Sequence, residues 1–239
     1  MHAAGFAAAA REPVPRRHSS GALLEAWGLD KTYRRGAERV HALRGVELAL
    51  YPGELVALVG PSGSGKSSLL GVLAGWEPPD AGELTWAVPT AGSGPAWSEL
   101  ATVPQALGLL DDLTVRENVA LPVRLRLGPR RAAEGRTEEL LGLFGLAGLA
   151  DRSPSETSLG QQQRAAVARA LVLPPQLVLA DEPSAHQDAA WVHDVFAALR
   201  QVVHDRGAAC LVATHDPDAL AFADRVLHLA DGELRERTP

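Results

Sequence analysis

A glycine-rich loop between a strand pattern and a helix pattern constrains this chain more than any other segment. Residues 55 to 59 (LVALV) form a short apolar run rich in β-forming side chains, which predicts a buried parallel strand. Residues 60 to 67 (GPSGSGKS) then match G-x-x-x-x-G-K-[ST] in full, and apolar positions over residues 69 to 73 predict a helix. A strand, this loop and a helix in that order predict a phosphate-binding loop, here called the phosphate loop, and hence a nucleotide triphosphate site.

Each residue type in the phosphate loop has a chemical reason. Glycines allow consecutive backbone N–H groups to turn toward a phosphate, where the helix dipole adds positive potential. Lys66 is predicted to reach the β- and γ-phosphates, and it is one of only two lysines among the 23 basic residues. The Ser67 hydroxyl is predicted to ligate Mg²⁺. The residues expected to contact the nucleotide are Gly60, Pro61, Ser62, Gly63, Ser64, Gly65, Lys66, Ser67 and Ser68.

A second strand pattern ends in an acidic pair. Residues 177 to 180 (LVLA) predict a buried strand, and Asp181 and Glu182 follow at its carboxyl end, where ligands bind in open α/β sheets. Asp181 is placed to hold Mg²⁺ through its water shell, and Glu182 is placed to polarise the attacking water. A third strand over residues 210 to 213 ends just before His215, which brings this histidine within reach of the γ-phosphate.

The segments between these strands complete the prediction of fold class. Apolar residues at helical spacing over residues 192 to 203 predict an amphipathic helix between the second and third strands. Strands that alternate with such helices imply a parallel sheet, joined by right-handed crossover connections. The sequence therefore predicts an α/β fold.

Composition and charge exclude several classes of protein. A chain of 239 residues has room for one large domain or two small ones with a full core. The net charge of −6 argues against general affinity for nucleic acid and against a polybasic membrane anchor. The single cysteine, Cys210, cannot form an internal disulfide and lies in an apolar run, which fits a reducing, cytosolic setting.

Neither a membrane span nor a secretory signal is predicted. The sequence has no run of 18 apolar residues, the length that would cross a bilayer. Residues 1 to 20 carry their arginines after a short, weakly apolar segment, which is the wrong order for a secretory signal. These residues are predicted to form a disordered leader.

A further helix pattern begins directly after a serine, within residues 155 to 171 (SETSLGQQQRAAVARAL), and Ser158 is a favourable N-cap residue. The chain order is the phosphate loop, a glutamine after a strand (Gln105 in VPQ), this segment, the acidic pair and the histidine. That order resembles an ATP-binding cassette (ABC) ATPase over residues 21 to 239. Residues 157 to 161 (TSLGQ) match the Leu-Ser-Gly-Gly-Gln signature of that family at three of five positions.

The resemblance implies a specific architecture and specific cofactors. The fold would be a P-loop NTPase of ABC ATPase type, with a mainly parallel core sheet and an N-terminal antiparallel β subdomain. A helical subdomain would be inserted over roughly residues 105 to 165, and a capping box over residues 114 to 117 (TVRE) predicts a helix start within it. ATP and Mg²⁺ are the implied cofactors, and the implied activity is ATP hydrolysis.

The resemblance also assigns roles to single residues. It makes Glu182 the catalytic base and His215 the switch histidine, which would reach the γ-phosphate. It adds Gln105 both as a catalytic group and as a third metal ligand beside Ser67 and Asp181. Tyr33 matches the aromatic residue that stacks on adenine in the family. Asp188 matches the residue that ends the loop after the acidic pair. His186 and Gln187, just before it, differ from the two residues that the family usually has there.

ABC ATPases dimerise head to tail, so the resemblance implies a second ATPase subunit, identical or different. Ser158, Gly160 and Gln161 would then face the γ-phosphate of the ATP bound by the partner. Leu159 departs from the signature, because glycine there permits a close approach and a positive φ. Leucine adds bulk, and a left-handed backbone costs about 1–2 kcal/mol. We therefore expect slow hydrolysis, or dependence on a different partner subunit.

Two segments resemble one branch of the family, the lipoprotein-release and macrolide-export ATPases. They are residues 40 to 75 (VHALRGVELALYPGELVALVGPSGSGKSSLLGVLAG) and residues 113 to 127 (LTVRENVALPVRLRL). Such ATPases serve a membrane permease on a separate chain, which implies a cytoplasmic protein held peripherally on the inner face of the plasma membrane. Residues 86 to 101 are short for this family, so the helical subdomain is expected to be trimmed there.

Two alternatives stay open from sequence. One is a soluble ABC ATPase acting in DNA repair or translation, although such proteins usually carry paired cassettes or long insertions and the present chain is acidic. The other is a regulatory subunit that binds ATP and hardly hydrolyses it because of Leu159. The transported substrate and the direction of transport depend on the permease, and the sequence of this chain does not specify them.

Overall fold

The chain folds around two main β-sheets. The computed structural model describes residues 21 to 36, 38 to 92, 94 to 127, 132 to 185 and 188 to 236, and the predicted leader lies outside them. The first sheet is formed by β1 (Leu24–Arg35), β2 (Glu38–Leu50) and β4 (Ala81–Trp86). These strands pair antiparallel in the order β2-β1-β4, which is the N-terminal sheet that the family resemblance implied.

The second sheet is the mainly parallel core. It contains β3 (Leu55–Val59), β7 (Leu100–Val103), β8 (Leu177–Asp181), β9 (Ala209–Ala213), β10 (Arg225–Ala230) and β11 (Glu233–Glu236). The strand order is β11-β10-β3-β9-β8-β7, and every pairing is parallel except that of β10 with β11. Between β4 and β7 in sequence lies a small hairpin, β5 (Thr90–Ala91) and β6 (Gly94–Pro95). The predicted strands are confirmed.

The core strands have an apolar layer on each face. Successive side chains of a strand point to opposite faces of the sheet. In β8, Val178 and Ala180 therefore pack into the core shared with helices, while Leu177 and Leu179 pack into the core shared with the N-terminal sheet. All five residues of β8 and all five of β9 are buried. Burial on both faces explains why these strands are continuous apolar runs in the sequence.

The helices are α1 (Lys66–Leu73), α2 (Val115–Leu127), α3 (Ala132–Leu143), α4 (Leu159–Leu171), α5 (Ala189–Arg206) and α6 (Pro217–Leu220). The predicted capping box precedes α2: the Glu117 N–H donates to Thr114 Oγ1 at 3.2 Å, and the Thr114 N–H donates to Glu117 Oε2 at 3.1 Å. Helix α4 packs against both α2 and β7, so it joins the helical region to the core sheet. Within the described ranges, none of the helices combines the length and apolar character needed to cross a membrane.

Candidate functional site

Neighbouring parallel strands end at one edge of the core sheet, and each leads into a predicted site residue. The phosphate loop follows β3, and His215 lies two residues after β9, the next strand along. Asp181 ends β8 and Glu182 follows it, while Gln105 lies two residues after β7. Because the carboxyl ends of parallel strands meet at the same edge, residues far apart in sequence are brought together there.

The phosphate loop has little space around two of its three glycines, Gly60 and Gly65. A Cβ atom on Gly60 would lie 2.0 Å from the Leu229 carbonyl oxygen, and one on Gly65 would lie 2.3 Å from the Ala42 carbonyl oxygen. Gly65 also has a φ of 107°, in the region that L side chains rarely adopt. Lys66 folds back over the loop, where Nζ donates to the carbonyl of Gly60 at 2.8 Å. The ammonium group is thus held above the loop.

A cavity of about 650 Å³ opens in front of the loop. The loop side is lined by Ser62, Gly63, Gly65, Lys66, Ser67 and Ser68. The N-terminal sheet contributes Tyr33, Arg34, Val40 and Ala42, and the core sheet edge contributes Gln105, Asp181 and Glu182. Ser64 differs from its neighbours, since its side chain is buried and its N–H donates to the Pro61 carbonyl at 3.2 Å. Gly60, Pro61 and Ser64 therefore shape the loop from behind the cavity lining.

Side-chain oxygen atoms that could ligate Mg²⁺ lie close together at the cavity. The Ser67 hydroxyl donates to Asp181 Oδ2 at 2.6 Å, although the two residues are 114 positions apart. Gln105 lines the same cavity. Hydroxyl, carboxylate and amide oxygens are ligands that suit Mg²⁺, which is held through few protein groups together with phosphates and water. The oxygen-bearing side chains of Ser67, Asp181 and Gln105 therefore fit that ion.

The proposed base and the histidine are already paired. His215 Nδ1 lies 2.9 Å from Glu182 Oε1, and this hydrogen bond to the carboxylate raises the pKa of the imidazole above its usual value. The Glu182 side chain is mostly buried, whereas the His215 side chain is 79% exposed. Glu182 also has a φ of 51°, which is uncommon for a residue other than glycine. Such backbone strain, of order 1–3 kcal/mol, persists only where surrounding contacts enforce it.

Tyr33, which is expected to stack on adenine, lines the cavity, and neighbouring side chains hold its ring in place. Its hydroxyl donates to Glu77 Oε1 at 2.5 Å, and burial together with this bond raises the pKa of the phenol to about 12. Lys31 Nζ lies 3.3 Å from Glu77 Oε2 and 5.6 Å from the centre of the Tyr33 ring. The aromatic face is consequently fixed at the wall of the cavity. Glu77 was missed in the sequence because nothing local links it to a residue 44 positions earlier.

The start of α4 corrects one expectation. Ser158 is the N-cap and its hydroxyl accepts from the Gln161 N–H at 3.3 Å, while Gln161 Oε1 accepts from the Ser158 N–H at 2.8 Å. Leu159 is the first helical residue, and among the described non-glycine residues only Glu182 and Asp231 have positive φ. The prediction of a left-handed strain at Leu159 was wrong, because Ser158 takes the non-helical cap conformation and leucine fits the first helical position.

The remaining signature positions do not line the phosphate cavity of their own chain, although Leu159 lines an opening that shares Ser62, Gln105 and Glu182 with it. The Leu159 side chain is 49% exposed and lines a second opening with Gln163, Glu182 and His215. Gly160 lies on the first turn of α4. Asp188 caps α5 by accepting from the Trp191 N–H at 3.1 Å, and His186 and Gln187 lie outside the described residues. Contact of Ser158, Gly160, Gln161 and Asp188 with nucleotide therefore stays a prediction about the dimer.

Fold and site together define a class of protein. A mainly parallel sheet with a phosphate loop after one strand and two adjacent carboxylates at the end of another is the arrangement of a P-loop nucleoside triphosphatase. Comparison with known proteins gives the family. The ABC transporter family model matches residues 43 to 185, which is more than half of the chain, and the chain belongs to that family.

Individual relatives agree with this assignment. The chain is 41% identical over 225 residues to the lipoprotein-releasing system ATP-binding protein LolD 2 of Caulobacter vibrioides, covering 90% of this chain and 97% of that protein. It is 39% identical to LolD of Bordetella pertussis, covering 91% and 97%. A dimeric structure of the ATP-binding cassette MJ0796, in a post-hydrolysis state with ADP and Pi, has a TM-score of 0.82 at 32% identity and covers 90% and 98%. The chain is an ATP-binding, ATP-hydrolysing subunit of an ABC transporter.

Proposed function

We propose that this subunit powers a separate membrane permease that releases lipoproteins from the membrane. The relatives that are about 40% identical over nearly their full length are named for lipoprotein release, which supports this substrate class. The chain would then sit peripherally on the cytoplasmic face of the plasma membrane, held there by the permease. Its acidic net charge of −6 fits attachment through a protein partner better than attachment to anionic lipid.

The observation that carries the proposed ATPase chemistry is the meeting of Lys66, Asp181, Glu182 and His215 at one sheet edge, where Glu182 lines both the phosphate cavity and the second opening that His215 lines. The phosphate loop would bind the triphosphate of ATP, with Lys66 released from the Gly60 carbonyl to contact the β- and γ-phosphates. Ser67 and Asp181, with Gln105 beside them, would hold Mg²⁺, which neutralises charge on the phosphate oxygens when bound.

Glu182 would act on the attacking water. Its carboxylate is mostly buried and is oriented by His215, so it is set to accept a hydrogen bond from a water in line with the γ-phosphate. His215 is itself largely exposed at the opening, where it can also contact the γ-phosphate. Catalysis of phosphoryl transfer depends mainly on such positioning and electrostatic stabilisation, and less on covalent chemistry by the protein.

A second ATPase subunit, identical or different, would complete each site. The N-terminus of α4 would meet the γ-phosphate bound by the partner, with Ser158, Gly160 and Gln161 at the contact, because a helix N-terminus attracts anions. Leu159 stands half exposed at this surface. Its bulk favours a second candidate function, a subunit that binds ATP but turns it over slowly.

Reconstitution tests the proposal directly. The chain would be co-expressed with a candidate permease and purified through the permease, then placed in vesicles that contain a labelled lipoprotein. We expect co-purification, ATP-dependent release of the lipoprotein, and loss of release with Lys66→Ala while the complex stays intact. ATP hydrolysis by the complex without any lipoprotein release would contradict the substrate class, and failure to associate with a permease would contradict the transport role.

A further inference from the structure

The three consecutive glutamines of α4 make three different sets of contacts. Gln161 closes the capping box with Ser158. Gln162 turns back toward the preceding loop, where Nε2 donates to the carbonyls of Pro154 at 2.9 Å and Thr157 at 3.2 Å. Both of these contacts are local and serve the start of the helix. The third glutamine, Gln163, points elsewhere.

Gln163 contacts the backbone of the proposed base. Its side chain is 3% exposed, and Nε2 donates to the Glu182 carbonyl oxygen at 3.3 Å across 19 residues. The same carbonyl accepts from the Ala185 N–H at 3.1 Å, and the Glu182 N–H donates to the Ala213 carbonyl at 2.9 Å. The peptide groups of Glu182 are therefore bonded to β9 on one side and to α4 on the other.

These bonds surround the residue whose backbone is strained. Glu182 keeps a φ of 51°, which is unfavourable for glutamate, while its carboxylate pairs with His215 at 2.9 Å. Strain of this kind persists only where the surroundings enforce it. The backbone conformation of Glu182 sets the direction of its Cα–Cβ bond, so a group that holds the carbonyl in place restricts where the carboxylate can lie.

We infer that Gln163 is a positioning residue for Glu182, and that it holds the base in its own chain. The inference rests on the proposed role of Glu182 in hydrolysis. Helix α4 would then act on two sites. Its N-terminus would face the nucleotide site of the partner subunit, and Gln163, one turn further along, would hold Glu182 in the site of its own chain. Movement of α4 against the core sheet would thereby act on both sites of the dimer.

Isosteric substitution separates this role from simple packing. Gln163→Met keeps the side-chain length but removes the donor, and Gln162→Met makes the same change one residue away without touching Glu182. We expect Gln163→Met to lower kcat about tenfold, or about 1.4 kcal/mol in activation free energy, while KM for ATP and Tm stay close to those of Gln162→Met. A kcat of Gln163→Met equal to that of the wild type would overturn the inference. Gln163→Glu replaces the amide donor by an acceptor of equal size and should also lower kcat. This second variant replaces Gln163→Met in the test if the methionine variant does not fold.

Mixed dimers decide whether the effect is confined to one chain. Two differently tagged protomers are combined, one of which carries Glu182→Gln, so that only the site with the remaining Glu182 turns over. Gln163→Met should slow hydrolysis when it is in the protomer that retains Glu182, and should leave the rate unchanged when it is in the other. Equal slowing in both arrangements would mean general disruption of α4 and would overturn the positioning role alone. Absence of ATP hydrolysis in the wild-type dimer, with or without permease, would instead refute the proposed function and this role with it.

Discussion

His215 and Glu182 form a hydrogen-bonded pair across two adjacent strands, with Nδ1 of the imidazole 2.9 Å from Oε1 of the carboxylate. The pair exists because β8 and β9 are neighbours in the sheet and run parallel, so their carboxyl ends place residues 33 positions apart side by side. The carboxylate of the proposed base is thus held in place by the fold itself. An oriented base lowers the reorganisation that the reaction requires.

This pairing predicts a pH dependence. The hydrogen bond to Glu182 raises the pKa of His215, so the stabilising pair is complete below the unfolded-state pKa of about 6.5 and is lost as pH rises through the raised folded value. Because the imidazole is 79% exposed, solvent screening keeps its contribution to stability small. NMR titration of nucleotide-free protein should give a His215 midpoint above about 6.5, and Glu182→Gln should lower it. A midpoint that Glu182→Gln leaves unchanged would contradict the pairing.

Lys66 should control nucleotide affinity. Lys66→Ala removes the ammonium group that the loop holds over the phosphates, so ATP binding measured by calorimetry should weaken by at least about tenfold. Lys66→Arg should also impair binding, because a planar guanidinium does not fit a loop shaped around a compact charge. Circular dichroism on both variants checks that the fold is intact. Wild-type affinity in Lys66→Ala would refute the assignment of the phosphate loop.

Tyr33 should hold the base of the nucleotide and not its phosphates. Tyr33→Ala should weaken ATP binding by about 1–3 kcal/mol, or roughly 5- to 150-fold, through loss of stacking. Tyr33→Phe keeps the ring and loses only the bond to Glu77, so its effect should be smaller. Inorganic tripolyphosphate serves as the control ligand, since it has no base to stack. Equal weakening of ATP and tripolyphosphate would show that Tyr33 supports the sheet and does not contact adenine.

Leu159 should limit turnover through its bulk alone, since its backbone is helical. Leu159→Ala removes the bulk and keeps helix propensity, so we expect it to raise kcat of the homodimer by up to about tenfold. Leu159→Gly removes the same bulk but loosens the helix start by about 1 kcal/mol, which should reduce its gain.

Leu125→Ala is the matched control for Leu159→Ala, because Leu125 is a leucine 71% exposed on α2. Its steady-state rate should equal that of the wild type. A high wild-type hydrolysis rate that Leu159→Ala does not change would contradict the proposed effect of Leu159. It would also contradict the alternative of a weakly hydrolysing regulatory subunit.

The sequence sufficed where chemistry is local. The phosphate loop, the strand before Asp181 and the cap at Ser158 were predicted because a few neighbouring residues determine each of them. The conformation of Leu159 was predicted wrongly, since the family pattern describes contact with a ligand and the helix start depends on the cap. The residue that follows a cap is helical whichever side chain it carries.

The sequence did not suffice where distant elements meet. Gln163 and Glu77 carry no motif of their own, and each acquires its role from a partner far along the chain. The run QQQ indicated only a helix with three amides, because the rotation of α4 relative to β8 decides which amide reaches Glu182. Only the packed structure fixes that rotation.

Glu182 is the proposed general base for hydrolysis of the ATP held by this chain, and Glu182→Gln tests this role most directly. The substitution keeps side-chain size and hydrogen bonding but removes the basic carboxylate. We predict that the variant binds ATP and elutes as a dimer in size-exclusion chromatography with ATP, while its hydrolysis rate falls by at least about a hundredfold. A hydrolysis rate equal to that of the wild-type protein would place the base elsewhere and contradict the account.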